Sequence, residues 1–208
     1  MIMGFYARYI GPKFVSCLCS TEDVTAERER IIPLAHGVVL EIGMGPGLNL
    51  PFYNPDEVKK VIGVDPNQAF LRLGESRQQA SPVPLEIIHA SAEALPLEAA
   101  SVDTVVITYT LCSVDDPEQA LREIRRVLKP GGKVLLLEHG LSPEPGVARW
   151  QHRLNPIWRS LALGCNLTRP VSELLRRAGF DVQDIEEYYL GGAPRVISFH
   201  CSGIAQAA

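Results

Sequence analysis

The stretch LEIGMGPGLNL (Leu40–Leu50) sets Gly43, Gly45 and Gly47 at alternate positions after an acidic Glu41. Glycines so spaced let a backbone turn sharply and come close to a ligand. The neighbours narrow the choice of ligand. A loop that cradles a nucleoside triphosphate carries Lys and Ser/Thr after its last glycine, whereas Leu48 and Asn49 stand there. A dinucleotide fingerprint needs G-x-G-x-x-G; from Gly43 the third glycine comes one residue early, at Gly47. A carboxylate beside the loop also opposes a pyrophosphate. The misfit lowers the dinucleotide reading without removing it, and a ligand without a phosphate stands beside it.

Other residues could do chemistry near such a loop. Asp65, in GVDPN, closes an apolar run and can accept hydrogen bonds from both hydroxyls of a ribose. His139 closes a later run and is the candidate general base; a histidine satisfied by a neighbouring backbone carbonyl is the alternative. Cys112 and Cys165 could be nucleophiles, but small buried side chains explain both. Asp115 and Asp116 follow another run, with Asp116 read as a helix cap. His36, His89, His152 and His200 share no constellation and are read as structural. The five cysteines include no CxxC pair and no Cys/His array with zinc spacing. Neither a disulfide scaffold nor a metal is expected, and the compartment is expected to be reducing and cytoplasmic.

These residues need a frame. Short apolar, β-branched runs at Val38–Gly43, Lys60–Asp65, Leu85–Ala90, Val102–Tyr109 and Lys133–His139 predict strands buried on both faces. Helices are expected over Thr21–Ala35, capped by Thr21, over Asn67–Gln79, and over Pro117–Lys129. The last has Asp116 as cap, Pro117 at its first position, and an apolar stripe of Ala120, Leu121, Ile124, Val127 and Leu128. KPGG (Lys129–Gly132) should stop it and turn the chain into the next strand. A helix carrying Trp150, Leu154, Trp158 and Leu161, kinked at Asn155-Pro156, precedes a helix over Val171–Gly179. Phe180–Tyr189 and Arg195–His200 read as a final antiparallel pair. Strands alternating with helices mean right-handed crossovers and a doubly wound α/β sheet, mostly parallel with an antiparallel last strand and helices on both faces.

The 208 residues suit one domain with a substantial core. We divide them into an N-terminal helical cap, 1–35, and a main domain, 36–208, with an acceptor-side insertion at about 141–170. A net charge of -4 leaves no excess of Lys and Arg for nucleic acid. The N-terminal stretch MIMGFYARYIGPKFVSCLCS has neither a signal-peptide pattern nor the about 20 apolar residues of a membrane span. It is expected to cover the mouth of the site or pack on the domain; a peripheral membrane contact is the alternative. No obligate protein partner is expected.

The pattern E-x-G-x-G-x-G (Glu41, Gly43, Gly45, Gly47) resembles motif I of class I S-adenosylmethionine (SAM) methyltransferases, whose sheet is Rossmann-like. SAM carries an ammonium and a sulfonium, so an acidic strand end suits it. GVDPN, HASAEALP (His89–Pro96) and LKPGGKVLLLEH (Leu128–His139) resemble later segments of the same family, in order. LCSV (Leu111–Val114), Glu138-His139, WQHRLNPIW (Trp150–Trp158) and GCNLTR (Gly164–Arg169) together look like the methyltransferase-like proteins that methylate small thiols in animals. The resemblance covers about residues 36–200. Met44 and Pro46 stand where Cys and Thr are usual there, and the long apolar anchor of the animal proteins is missing from the N-terminal stretch.

The resemblance implies that Glu41, Gly43, Gly45, Gly47 and Asn49 line the methionine side of SAM. Asp65 and Pro66 would meet the ribose and the near edge of adenine, and Ala92 and Glu93 would border adenine. Thr110, Leu111 and Cys112 would lie beside the sulfonium. The implied activity is methyl transfer to a small apolar acceptor, a thiol first, by in-line displacement that yields S-adenosylhomocysteine. A free thiol has a pKa of about 8.5, so it needs little base assistance. Rival readings are a quinone or phospholipid methyltransferase, a non-catalytic SAM-binding module, and an NAD-linked oxidoreductase.

Overall fold

The computed structural model describes residues 5–207 of the chain. The apolar runs form β1 (Gly37–Ile42), β2 (Val58–Val64), β3 (Leu85–Ile88), β4 (Val102–Thr108) and β5 (Leu128–His139), followed by β6 (Phe180–Tyr189) and β7 (Phe199–Ala207). They make one seven-stranded sheet in the order β3-β2-β1-β4-β5-β7-β6. β7 runs antiparallel to both its neighbours, β5 and β6, while β1 to β5 pair in parallel. This is the doubly wound, Rossmann-like sheet expected.

Alternation along the strands divides the core into two layers. Leu40, Ile42, Val105, Ile107, Val134 and Leu136 pack on one face of the sheet, with Ala120, Leu121 and Ile124 of α5 (Pro117–Val127). Val39, Val106 and Leu135 pack on the other, with Ile31 of α2 (Glu22–Ile31). Both faces are therefore dry, which is why the strands read as nearly unbroken apolar runs. The chain winds from β1 out to β3, then returns to place β4 on the other side of β1. The carboxyl ends of β1 and β4 thus form a topological switch point, where open α/β sheets bind ligands.

Four local expectations need correction. The helix expected at 67–79 is broken into α3 (Gln68–Leu73) and α4 (Glu75–Gln79) at Gly74. A Cβ on Gly74 would stand 2.6 Å from the Pro46 carbonyl oxygen, so the glycine lets this segment press on the ligand loop. KPGG does not end the preceding helix, which stops at Val127, and it lies within β5 instead. Leu128 pairs with Val102 and Lys133 with Thr104, so the residues between bulge out of β5. Thr21 has the extended backbone of a cap, yet its side chain makes no capping bond. Arg195–His200 is not a strand: Arg195–Ser198 is a helical turn, α8, and β7 runs from Phe199 to Ala207. Asp116 caps α5 as expected, accepting the Gln119 N–H at 2.9 Å.

A π-helical turn (Tyr6–Ile10), α1 (Gly11–Leu18) and α2 lie over the carboxyl edge of the sheet. Beside them runs α6 (Pro145–Leu161), continuous through Pro156. The Tyr6 hydroxyl donates to the Leu161 carbonyl at 2.7 Å. Trp150, Leu154, Ile157 and Leu161 are exposed on α6, so its apolar side is not core, while Trp158 is half-buried. α7 (Val171–Arg177) then leads into β6. Among the described residues no helix is long and apolar enough to cross a membrane.

Candidate active site

The loop after β1 and the ends of β2 and β4 enclose a cleft of about 460 Å³. Gly43 and Gly45 bend around it with φ of 64° and 56°. A Cβ on Gly43 would sit 2.3 Å from the Thr110 hydroxyl, and at Gly45 the nearest atom is 3.7 Å away, leaving that backbone open to a ligand. Asp65 fixes the loop: its Oδ2 accepts the Gly45 N–H at 2.8 Å and its Oδ1 the Asn67 N–H at 2.7 Å. Each oxygen keeps a further acceptor position for a ligand hydroxyl. Burial pushes the Asp65 carboxyl above its ordinary pKa.

Behind the loop runs a closed polar chain. Glu41 accepts from Asn49 Nδ2 at 2.9 Å and from the Tyr53 hydroxyl at 2.8 Å. Asn49 Nδ2 also donates to Thr108 Oγ1, and Asn49 Oδ1 accepts from Arg28 Nε at 3.0 Å. Arg28, on α2 and 3% exposed, donates its other arm to the Cys19 carbonyl and lies 5.7 Å from the Tyr109 ring centroid. Burial raises the Glu41 carboxyl to a pKa of about 7, against the hydrogen bonds of Tyr53 and Asn49. Arg28 was missed in the sequence because it sits in ERER (Glu27–Arg30), which reads as a solvated helix face.

The loop after β4 is held from both sides. Glu138, fully buried at the end of β5, accepts the backbone N–H groups of Thr110, Leu111 and Cys112. Burial lifts its pKa to about 7. The GCNLTR segment grips the carbonyls of the same loop: Asn166 donates from backbone and side chain to the Cys112 carbonyl, at 2.8 and 3.1 Å. Arg169 donates to the carbonyls of Leu111 and Val114. LCSV, Glu138-His139 and GCNLTR therefore form one unit in space.

At the centre of this unit His139 Nε2 lies 2.7 Å from Cys165 Sγ, and the Trp158 indole N–H donates to the same sulfur at 3.1 Å. The hydrogen bond from Cys112, with those of His139 and Trp158, holds the Cys165 thiol well below its ordinary pKa despite burial. Burial works against the His139 charge, yet the neighbouring Cys165 keeps its pKa raised. These groups line a second, mostly apolar cavity of about 160 Å³ with Leu18, Cys19, Tyr109 and His200. The two spaces share Val15, Cys19, Tyr109, Ser113 and Ala162 as walls. Tyr109 has φ of 53° and a buried hydroxyl with no hydrogen-bond partner.

Of the residues singled out in the sequence, Glu41, Gly43, Gly45, Asn49, Asp65, Pro66, Ala92, Glu93 and Thr110 line the larger cleft. Gly47 and Leu111 are outside its lining, with Leu111 fully buried, and Cys112 lines the smaller cavity instead. The Glu93 carboxylate accepts the backbone N–H groups of Asp115 and Asp116, so it ties down a loop. His139 is engaged by a thiol rather than by a backbone carbonyl. His200 is not remote from it: the antiparallel register of β5 and β7 pairs His139 with His200, and their rings are 6.3 Å apart.

Residues 40–136 match the methyltransferase domain family. A SAM-dependent methyltransferase of Thermotoga maritima superposes with a TM-score of 0.66 over 99% of this chain and 98% of its own, at 22% identity. Fold and domain match are both similar to those of the class I SAM-dependent methyltransferases. Within that class it resembles the thiol S-methyltransferases: it is 38% identical to TMT1B of Rattus norvegicus over 152 residues. That match covers 71% of this chain and 62% of the rat protein, so the chain spans less than two thirds of that relative. The ubiquinone/menaquinone biosynthesis C-methyltransferase UbiE of Hahella chejuensis is 39% identical over 92 residues, 43% of this chain and 37% of its own.

Proposed function

We propose that this protein transfers a methyl group from SAM to a small apolar thiol. The observation that carries this reading is the pair of adjoining spaces, a polar-lipped cleft and a small apolar cavity, separated by Tyr109 and Ser113. The larger fits SAM: two left-handed glycines leave the Gly45 backbone uncovered, and Asp65 has acceptor positions to spare. In this reading Asp65 takes the ribose hydroxyls, Pro66 and Ala92 border adenine, and Gly43, Gly45 and Thr110 face the methionine part. Asn49 holds the loop, and Glu41 would supply negative charge below the ammonium. Bound there, SAM would supply an activated methyl on a sulfonium.

The chain's own part is alignment and exclusion of water. Residues 1–35 act as the cap, with Val15 and Cys19 closing both spaces over the main domain, 36–208; residues 1–4 and 208 lie outside those described. The segment at about 141–170 supplies the acceptor side through Trp158, Ala162 and Cys165. A thiolate neutralises a sulfonium as it attacks, so apolar walls favour the reaction over the charged ground state. His139 and Cys165 line the cavity in which the acceptor thiol would give up its proton.

A quinol acceptor is the second reading, favoured by the match to UbiE and by the exposed apolar side chains of α1 and α6, such as Phe14 and Ile157, beside the cavity. The test is release of S-adenosylhomocysteine from SAM with a small alkyl thiol, a quinol and a phospholipid amine supplied separately. Release with the thiol, abolished in Asp65→Ala, is expected. Release with the quinol or the amine but none with the thiol would overturn the thiol assignment. Tight SAM binding without release from any of the three would make the domain a binding module.

A further inference from the structure

We infer that Cys112, His139 and Cys165 form a binding site for a thiophilic metal ion, zinc first, with its fourth coordination position open to the acceptor cavity. One ligand atom from each residue lies within 4.8 Å of the other two, and all three residues are buried. Their sequence separation hides the set from any search for local zinc spacing. Two thiolates and an imidazole are soft donors, which select zinc over magnesium or calcium. Three protein ligands and one open position are the arrangement of a catalytic zinc site.

The surroundings suit the ion. Two thiolates cancel its double charge, so the three-ligand centre is neutral before a fourth ligand binds and can stay in an apolar pocket. The Cys112 backbone is fixed by Glu138 on its N–H and by Asn166 on its carbonyl. Trp158 donates to the Cys165 sulfur, an outer-shell contact of the kind that orients a metal ligand. Zinc with bonds of about 2.0 Å to nitrogen and about 2.3 Å to sulfur separates two such ligands by about 3.5 Å. His139 Nε2 must therefore draw back about 0.8 Å from its 2.7 Å contact with Cys165. No hydrogen bond at Nδ1 holds the ring against that movement.

The fourth ligand follows from the proposed thiol reading, on which this part of the inference rests. An acceptor thiol enters the cavity, a zinc-bound hydroxide leaves as water with the S–H proton, and the sulfur binds zinc as a thiolate. No separate base is required.

The experiment is metal analysis of the purified chain after equilibration with zinc and removal of unbound metal, followed by cobalt replacement and absorption spectroscopy. One zinc per chain is expected, and the cobalt form should show sulfur-to-cobalt charge transfer and tetrahedral visible bands. Cys165→Ser and Cys112→Ser should bind at least about 100-fold more weakly, and Trp158→Phe about tenfold more weakly. His139→Gln serves where a serine variant fails to fold, and Cys201→Ser should bind as the unaltered chain does. No retained zinc, or equal retention in Cys165→Ser and His139→Gln, would overturn the site. A small alkyl thiol should shift the cobalt bands; bands that stay put would remove the thiol from the fourth position and leave the metal site standing.

Discussion

Arg28→Met tests whether the N-terminal helices are part of the cofactor site. The substitution keeps an unbranched stem but removes the donors to Asn49 Oδ1 and to the Cys19 carbonyl. An acceptor left buried without a donor costs about 1–3 kcal/mol. Against this, exchanging a buried charge for apolar bulk is often close to neutral, so the two orphaned acceptors decide the sign. A net loss of about 2–4 kcal/mol is expected. For a chain of this size that lowers Tm by roughly 5–15 °C. Asn49 also loses its anchor under the glycine loop, and about 1 kcal/mol of lost binding makes the Kd for SAM roughly fivefold weaker. Thermal unfolding and titration calorimetry read the two effects. A Tm within about 1 °C of the unaltered chain, with SAM affinity unchanged, would refute the coupling.

Other outcomes follow from the same contacts. Asp65→Ala should weaken SAM binding about 100-fold, since two hydrogen bonds to a charged acceptor contribute about 3 kcal/mol; an unchanged titration would remove Asp65 from the ribose site. Glu41 has a folded pKa of about 7 against an ordinary 4.5. The folded state therefore binds the extra proton, and stability falls as pH rises from 4.5 through 7, by up to about 3 kcal/mol from this group. Glu41→Gln should be flatter across that window in urea unfolding, gaining on the unaltered chain as pH rises; a constant gap would contradict the burial argument. Leu18 lines the smaller cavity and not the larger. Leu18→Trp should raise the KM for a small thiol at least about tenfold with the Kd for SAM unchanged, and equal effects on both would argue against two separate spaces.

The parts of the fold legible in the sequence are those set by local pattern. Strands buried on both faces appear as unbroken runs, Asp116-Pro117 marks a helix start, and Glu41 with its glycines marks a ligand loop. The acceptor side was legible only as a resemblance, because its physics is non-local. Asn166 meets the Cys112 carbonyl across 54 residues, and no periodicity in either segment announces it. His200 faces His139 through the register of an antiparallel pair that forms only once β7 slides between β5 and β6. Arg28 is charged and lies among charged residues, so nothing local distinguishes it from Arg30, which pairs with Glu27 at the surface. Gly74 looks like a weak point in a helix, and its role shows only when Pro46 is brought against it.

The most direct measurement is a crystal structure of the protein with S-adenosylhomocysteine and a small alkyl thiol. The ribose is expected on Asp65, with the product sulfur facing Tyr109 and the thiol in the cavity lined by Cys112, His139 and Cys165. A ribose bound away from Asp65, or a thiol held elsewhere while that cavity is closed to it, would contradict thiol methylation at this site.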